Sequence, residues 1–304
     1  MKKQHQADLA LLLVTVGWGA SFILTKNALK DLDTFNFLAL RFLSAFFISA
    51  LVFIKRFKSL NKRTLISSII IGTILFTGYA LQTIGLHYTS VSKSAFITGF
   101  AVVLVPMFTS LMNKQWPEKS ALLGSLYAFI GIGLLSLNDA SGPNIGDLLT
   151  LIAAIAFAYQ IITVGIFTDS TDSLLLGILQ IGVVGMWSLF ATFMFESPVV
   201  PTGVSLWTNL LILSIVCTCG AFITQSVAQQ YTTATHTALI YSGEPVFASI
   251  FAYFWVGEML STRGLIGAGL ILTGMLVAEL DLKALLKGNK EQLRAEGQEL
   301  KAKA

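Results

Sequence analysis

Apolar residues recur along this chain in long blocks separated by short polar stretches, at 9–25, 35–54, 65–86, 94–112, 121–137, 148–168, 174–195, 206–228, 235–256 and 264–280. The blocks are 17 to 23 residues long. A helix needs about 20 apolar residues, within a range of roughly 17–25, to cross the hydrocarbon core of a bilayer. The pattern therefore predicts ten transmembrane helices. Backbone groups in lipid must be satisfied within the segment, so runs of this length are helices; barrel strands would be about half as long and would alternate. The first block follows Lys2 and Lys3 but runs on through Phe22-Ile23-Leu24-Thr25-Lys26 with no small-residue cleavage site, so it is read as a retained helix.

Composition removes the soluble alternatives. Of 304 residues, 55% are hydrophobic and 12% charged, with a mean hydropathy of +0.76, whereas soluble domains carry about 25% charged residues. Cys217 and Cys219 lie inside an apolar block and read as buried free thiols, with no metal site implied. With the spans numbered in order, fifteen Lys and Arg residues fall on the side of the N-terminus, the even-to-odd loops and the C-terminus. Lys26, Lys30, Lys93 and Arg263 fall on the other, and Arg41 lies inside span 2. The positive-inside rule then places both termini in the cytoplasm of a multi-pass cell-membrane protein. The basic balance is a topology signal and implies no nucleic acid. Residues 283–304 read as a cytoplasmic basic tail suited to anionic headgroups; truncation after Leu286 should leave the activity of the membrane-embedded part intact.

The chain also repeats itself. Ala80-Leu81-Gln82-Thr83 and Tyr88-Thr89 precede Ile223-Thr224-Gln225-Ser226 and Tyr231-Thr232 by 143 positions, and the same offset takes Gly124 to Gly267 and Gly131 to Gly274. Pro106 and Pro245 correspond with a four-residue gap. This divides the chain into 1–142, 143–282 and the tail 283–304, with five spans in each half. Five is odd, so the second half is inverted relative to the first. Inverted repeats place a binding site near the midplane and support alternating access; the plainer alternative is repeated helix packing without transport.

At these landmarks the chain resembles the EamA-type branch of the drug/metabolite transporter superfamily. The resemblance is carried by Trp18-Gly19-Ala20-Ser21-Phe22 followed by Lys26, by Arg41-Phe42, and by Gly243-Glu244-Pro245-Val246-Phe247 followed by Gly257-Glu258-Met259-Leu260-Ser261. The first repeat has the weaker Pro106-Met107-Phe108 and Trp116-Pro117-Glu118, without a glycine before Glu118. The resemblance implies an all-α integral membrane fold of ten helices in two inverted five-helix repeats. It further implies a secondary transporter, usually an exporter of metabolites or amino acids. An importer of sugars or related nutrients is the same-fold alternative, and a membrane enzyme or non-transporting scaffold lies outside the class.

Several polar residues stand where chemistry is expensive. Trp18, Phe22 and Lys26 are four apart and share a helix face, so they offer a substrate vestibule of rings and an ammonium; an interfacial Trp and a snorkelling Lys are equally open. Arg41 is seven residues into span 2 and must face the bundle and find a partner. Tyr79 and Gln82 are one turn apart and can donate and accept hydrogen bonds. Lys26, Arg41 and Lys93 make the outer half of the first repeat electropositive, which favours a carboxylate or phosphate on the substrate, although Lys93 reads more simply as a solvated loop charge. Pro106 and Pro245 break spans 4 and 9, either lining the site or merely kinking it. The glycines at 124, 131, 267 and 274 read as close helix packing.

Glu244 is the tenth residue of its 22-residue block, near the bilayer centre. A carboxyl there needs a partner or a purpose. It is either one half of a fixed pair with Arg41 or a site for proton coupling and substrate amines, with Tyr241 one turn away as a hydrogen-bond partner. The chain has no G-x-x-x-x-G-K-[ST], H-E-x-x-H or G-x-S-x-G motif. No enzyme activity, cofactor, metal or ATPase subunit is implied, so transport would run on an ion gradient or exchange. The expected partners are a small-molecule substrate and the lipid bilayer, and a homodimer is compatible with the pattern.

Overall fold

A computed structural model describes residues 2–136 and 144–279; the expected repeat junction at 142 and the basic tail 283–304 lie outside the described residues. The helical spans follow the apolar blocks. They are α1 (Lys2–Ala28), α2 (Thr34–Val52), α3 (Lys62–Leu86), α4 (Val91–Thr98 and Phe100–Met112) and α5 (Lys119–Ser136), then α6 (Ile145–Thr168) and α7 (Ser173–Phe195). α8 comprises Val204–Ser214, a π-helical turn Ile215–Gly220 and Ala221–Ala228; α9 comprises Ala234–Tyr241 and Glu244–Val256; α10 is Thr262–Glu279. Among the described residues, nine helices are long and apolar enough to cross a membrane, and Thr262–Ala278 is a shorter apolar helix. Phe193, Phe254 and Leu51 are each more than two-thirds exposed, the kind of apolar surface that soluble monomers rarely present and lipid covers.

The 143-residue offset is built into the local structure. Ser90 caps the N-terminus of α4 by accepting from the Lys93 amide, and Thr233 caps α9 by accepting from the His236 amide. Each hydroxyl satisfies one of the donors that a helix start leaves free. The second segment of α9 ends in a left-handed residue, Gly257 at φ 66°, and α4 ends in the same conformation at Lys114, φ 56°. The first repeat thus makes the same turn without the glycine, 143 positions earlier.

The halves meet in antiparallel pairs. α5 packs closely on α10, and a Cβ added at Gly124 would lie 2.4 Å from the Gly274 carbonyl oxygen, one at Gly131 2.6 Å from that of Gly267. Residues 124 and 131 correspond to 267 and 274 by the repeat, yet each touches the other's counterpart. Only an inverted, two-fold relation produces that exchange. α2 on α7 is likewise a pair of counterparts, while α1 on α9 corresponds to α6 on α4. Gly131→Ala should therefore lower stability by about 1–3 kcal/mol, because its methyl group meets backbone that cannot give way. Gly133→Ala should have no effect in the same thermal-unfolding measurement, since nothing lies within 4 Å of that position. Equal melting of the two variants would contradict the packing.

Candidate functional site

α4 and α9 are interrupted at corresponding places, after Thr98 in one and after Tyr241 in the other. The breaks fall at Gly99 and at Ser242-Gly243, again 143 positions apart. Pro245 sits in the first turn of the second segment of α9, where the amide it lacks would have had no helical acceptor. Pro106 does not break its helix. It lies inside the continuous segment Phe100–Met112, seven residues past the interruption, so the expected equivalence of the two prolines is corrected: glycine at 99, with no side chain to hold the helix, is the counterpart of the second break.

The two breaks face one cavity of about 60 Å³ between the halves, room for a few water molecules. Trp18, Phe22, Tyr79, Gln82, Tyr241 and Glu244 all line it, although they come from three helices, α1, α3 and α9. Phe157 of α6 and Phe222 of α8 add two further rings. Trp18 packs edge-on against Tyr241 with centroids 4.9 Å apart and tilts over Phe222 at 5.2 Å. α1 and α9 come this close because residue 19 is glycine: a Cβ there would lie 2.7 Å from that of Phe247. Glu244 is the one charged residue in the lining. No ion pair or side-chain hydrogen bond reaches its carboxylate among the described residues. The Tyr241 hydroxyl is buried and has no hydrogen-bond partner either.

Lys26 and Arg41 do not line this cavity. Arg41 is 1% exposed; its Nε donates to Thr218 Oγ1 at 2.8 Å and Nη1 to Thr25 Oγ1 at 3.5 Å. Its guanidinium carbon lies 5.3 Å from the Phe42 ring centroid and 5.2 Å from that of Tyr79. Its partners are thus hydroxyls and ring faces, and of the two alternatives for Glu244 the fixed ion pair with Arg41 is not formed. The π-helical turn of α8 makes this arrangement: it presents Thr218 to Arg41 and the Cys217 carbonyl to the Trp18 indole N–H at 2.9 Å. Both cysteines are free thiols, with Cys217 buried.

A cluster of amides backs the cavity and was not singled out in the sequence. Gln160, which lines it, shares hydrogen bonds with Gln180 at 3.1 Å and with Gln225 at 3.1 and 3.3 Å, and Gln180 donates to Ser226 at 3.0 Å. All three glutamines are buried. The available signal was that Gln160 and Gln180 are the amides within their apolar blocks, and that Gln225 is the repeat counterpart of Gln82. Gln82 itself donates to Thr98 at 2.8 Å, beside the break in α4.

Charges close both ends of the bundle. At the end away from the N-terminus, Lys93 is buried and pairs with Asp147 at 3.1 Å, which corrects its reading as a solvated loop charge. Lys26 donates to the carbonyls of Leu86 and Thr89. Glu258, carried round by the left-handed turn at Gly257, accepts from the amides of Val91 and Ser92 at the start of α4. Glu196 does the same for Phe35 and Asn36 at the start of α2. His87 hydrogen-bonds Thr34 at 3.1 Å; burial and then the Lys26 charge hold its pKa below the usual 6.5. At the opposite end His236, the counterpart of Lys93, lies 3.2 Å from Asp8.

A family profile described as the EamA-like transporter family matches residues 5–137 and 144–279, one match for each half. The chain belongs to that family. This EamA-family chain is 33% identical over 285 residues to an uncharacterized transporter of Archaeoglobus fulgidus, covering 91% of this chain and 87% of that one. It is 27% identical over 299 residues to the uncharacterized transporter YyaM of Bacillus subtilis, covering 93% and 96%. A solved crystal structure at 18% identity superposes with a TM-score of 0.70, covering 92% of this chain and 99% of that one, which speaks for the fold alone. The EamA-family chain is therefore a multi-pass membrane transporter. The expected electropositive binding surface is not what lines its central cavity.

Proposed function

We propose that this chain is a secondary transporter of the cell membrane that exports a small metabolite or amino acid by alternating access, with Glu244 as the proton-coupling group. The observation that carries the reading is the convergence of two repeat-related helix breaks on one cavity between inverted halves, with a single unpaired carboxyl in its wall. Free helix ends in a wall of this kind supply polar groups to a solute at mid-membrane depth. A carboxyl held among rings and fixed by no counter-charge is able to take up a proton from one face and release it to the other. Export is the direction the family resemblance favours, and the fifteen-to-four distribution of basic residues supports cytoplasmic termini.

Reconstitution tests the reading. Proteoliposomes under an imposed pH gradient, offered a panel of amino acids, sugars and organic amines, should lose the gradient faster with at least one solute than protein-free liposomes do. Silence across the panel would overturn proton coupling. Uptake into inside-out rather than right-side-out vesicles would establish export. Orientation has its own check: a reporter active only in the cytoplasm should work when fused after Lys62 or at the C-terminus and fail after Asn144. The opposite pattern would reverse the termini.

A further inference from the structure

Resting on the reading of this cavity as the transport site, we infer that its substrate is a primary or secondary ammonium with an apolar body and no carboxylate of its own. The charges within and around the cavity lead there. No cation lines the cavity to meet an anionic group: Lys26 donates to two backbone carbonyls, Lys93 pairs with Asp147, and Arg41 lies against the outer side of the lining at Tyr79, donating to Thr25 and Thr218 with its Nη2 left without a hydrogen-bond partner among the described residues. Glu244 is left as the one charge in the wall. An anion entering would meet the acidic side chain of Glu244, and a zwitterion would bury its own carboxylate in a wall that holds no cation, both costly in a low-dielectric site.

The remaining lining is complementary to an ammonium. Trp18, Phe22, Tyr79, Phe157, Phe222 and Tyr241 surround the space with rings, whose faces attract a desolvated cation and whose surfaces cover an apolar body. The Tyr241 hydroxyl, buried and without a partner, retains lone pairs that accept an N–H. Together with the carboxylate it favours an amine that still carries N–H donors over a quaternary one. The cavity of about 60 Å³ admits the ammonium head as it stands, and a larger body requires the halves to part, as alternating access demands.

Binding to the purified full-length protein in detergent, measured by calorimetry without any gradient, separates this inference from the transport reading. The probes are four molecules that share a phenyl ring and differ in charge: phenethylammonium, phenylalanine, phenylacetate and phenethyl alcohol. Phenethylammonium should bind at least about tenfold more tightly than each of the others, a difference that one cation–π and carboxylate contact set readily supplies. Glu244→Gln should abolish that preference, and Tyr241→Phe should weaken phenethylammonium several-fold. Equal binding of the four, preference for phenylalanine or phenylacetate, or binding of none overturns the inference without use of either variant. Selective ammonium binding with no gradient-driven flux would leave it standing and remove proton coupling, whereas coupled transport of an anion would do the reverse.

Discussion

Asp147→Asn should lower stability by about 3–5 kcal/mol, and Lys93→Met by distinctly less. The two side chains form a buried pair, 6% and 4% exposed, with 3.1 Å between charged atoms. Replacing the carboxylate by an amide removes the negative charge that faces a buried ammonium, and breaking one partner of such a pair is the costly case. The reverse change is milder because Asp147 keeps other partners. It accepts from the Thr89 hydroxyl at 2.8 Å, closes a capping box with Asn144, and sits in the first turn of α6, where negative charge is favoured. Thermal unfolding followed by size-exclusion chromatography ranks the two. Melting of both variants with the parent, or of Lys93→Met well below Asp147→Asn, would show that this pair is not what ties α4 to α6 at that end.

The spans and their inversion were legible because each rests on a signal carried by neighbouring residues. Block length gives a crossing helix, and a constant offset survives wherever both repeats need the same local device: a hydroxyl at Ser90 and Thr233, a small residue at Gly124 and Gly267, an amide at Gln82 and Gln225. Trp18, Phe22, Tyr79, Gln82, Tyr241 and Glu244 were legible as polar or aromatic residues out of place in apolar blocks, and they do converge on one cavity. The electrostatics was not legible. Whether Lys93 is solvated or paired depends on Asp147, 54 positions away, and Arg41 finds its acceptor at Thr218, 177 positions away. Neither pairing leaves a periodicity. Pro106 misled because proline signals a missing hydrogen bond, while the interruption falls at Gly99, where corresponding helix segments meet the cavity.

Glu244→Gln should show the opposite separation from Asp147→Asn: unchanged or slightly raised stability and no gradient-driven transport. The carboxyl of Glu244 lines the cavity and has no ion pair among the described residues to lose, so exchange for an isosteric amide removes no partner. It also leaves the first turn of the second α9 segment intact, because that segment begins with Glu244 and Pro245 and takes no side-chain cap from residue 244. The cost falls on function. An amide neither binds nor releases a proton across the physiological range, so flux driven by a pH gradient should fall to the level of empty liposomes. Glu244→Asp retains a titratable carboxyl but draws it back by one methylene from the cavity that Glu244 lines, and should keep a fraction of the rate. Arg41→Leu gives the contrast: it leaves the cavity wall uncharged by any new group while stripping Thr25 and Thr218 of their donor, so its loss should appear in melting before transport. Counterflow and gradient-driven uptake measured side by side on the same proteoliposomes decide the matter. Glu244→Gln driving uptake at the parental rate under a proton gradient would remove Glu244 from the coupling step and leave the cavity a binding site alone.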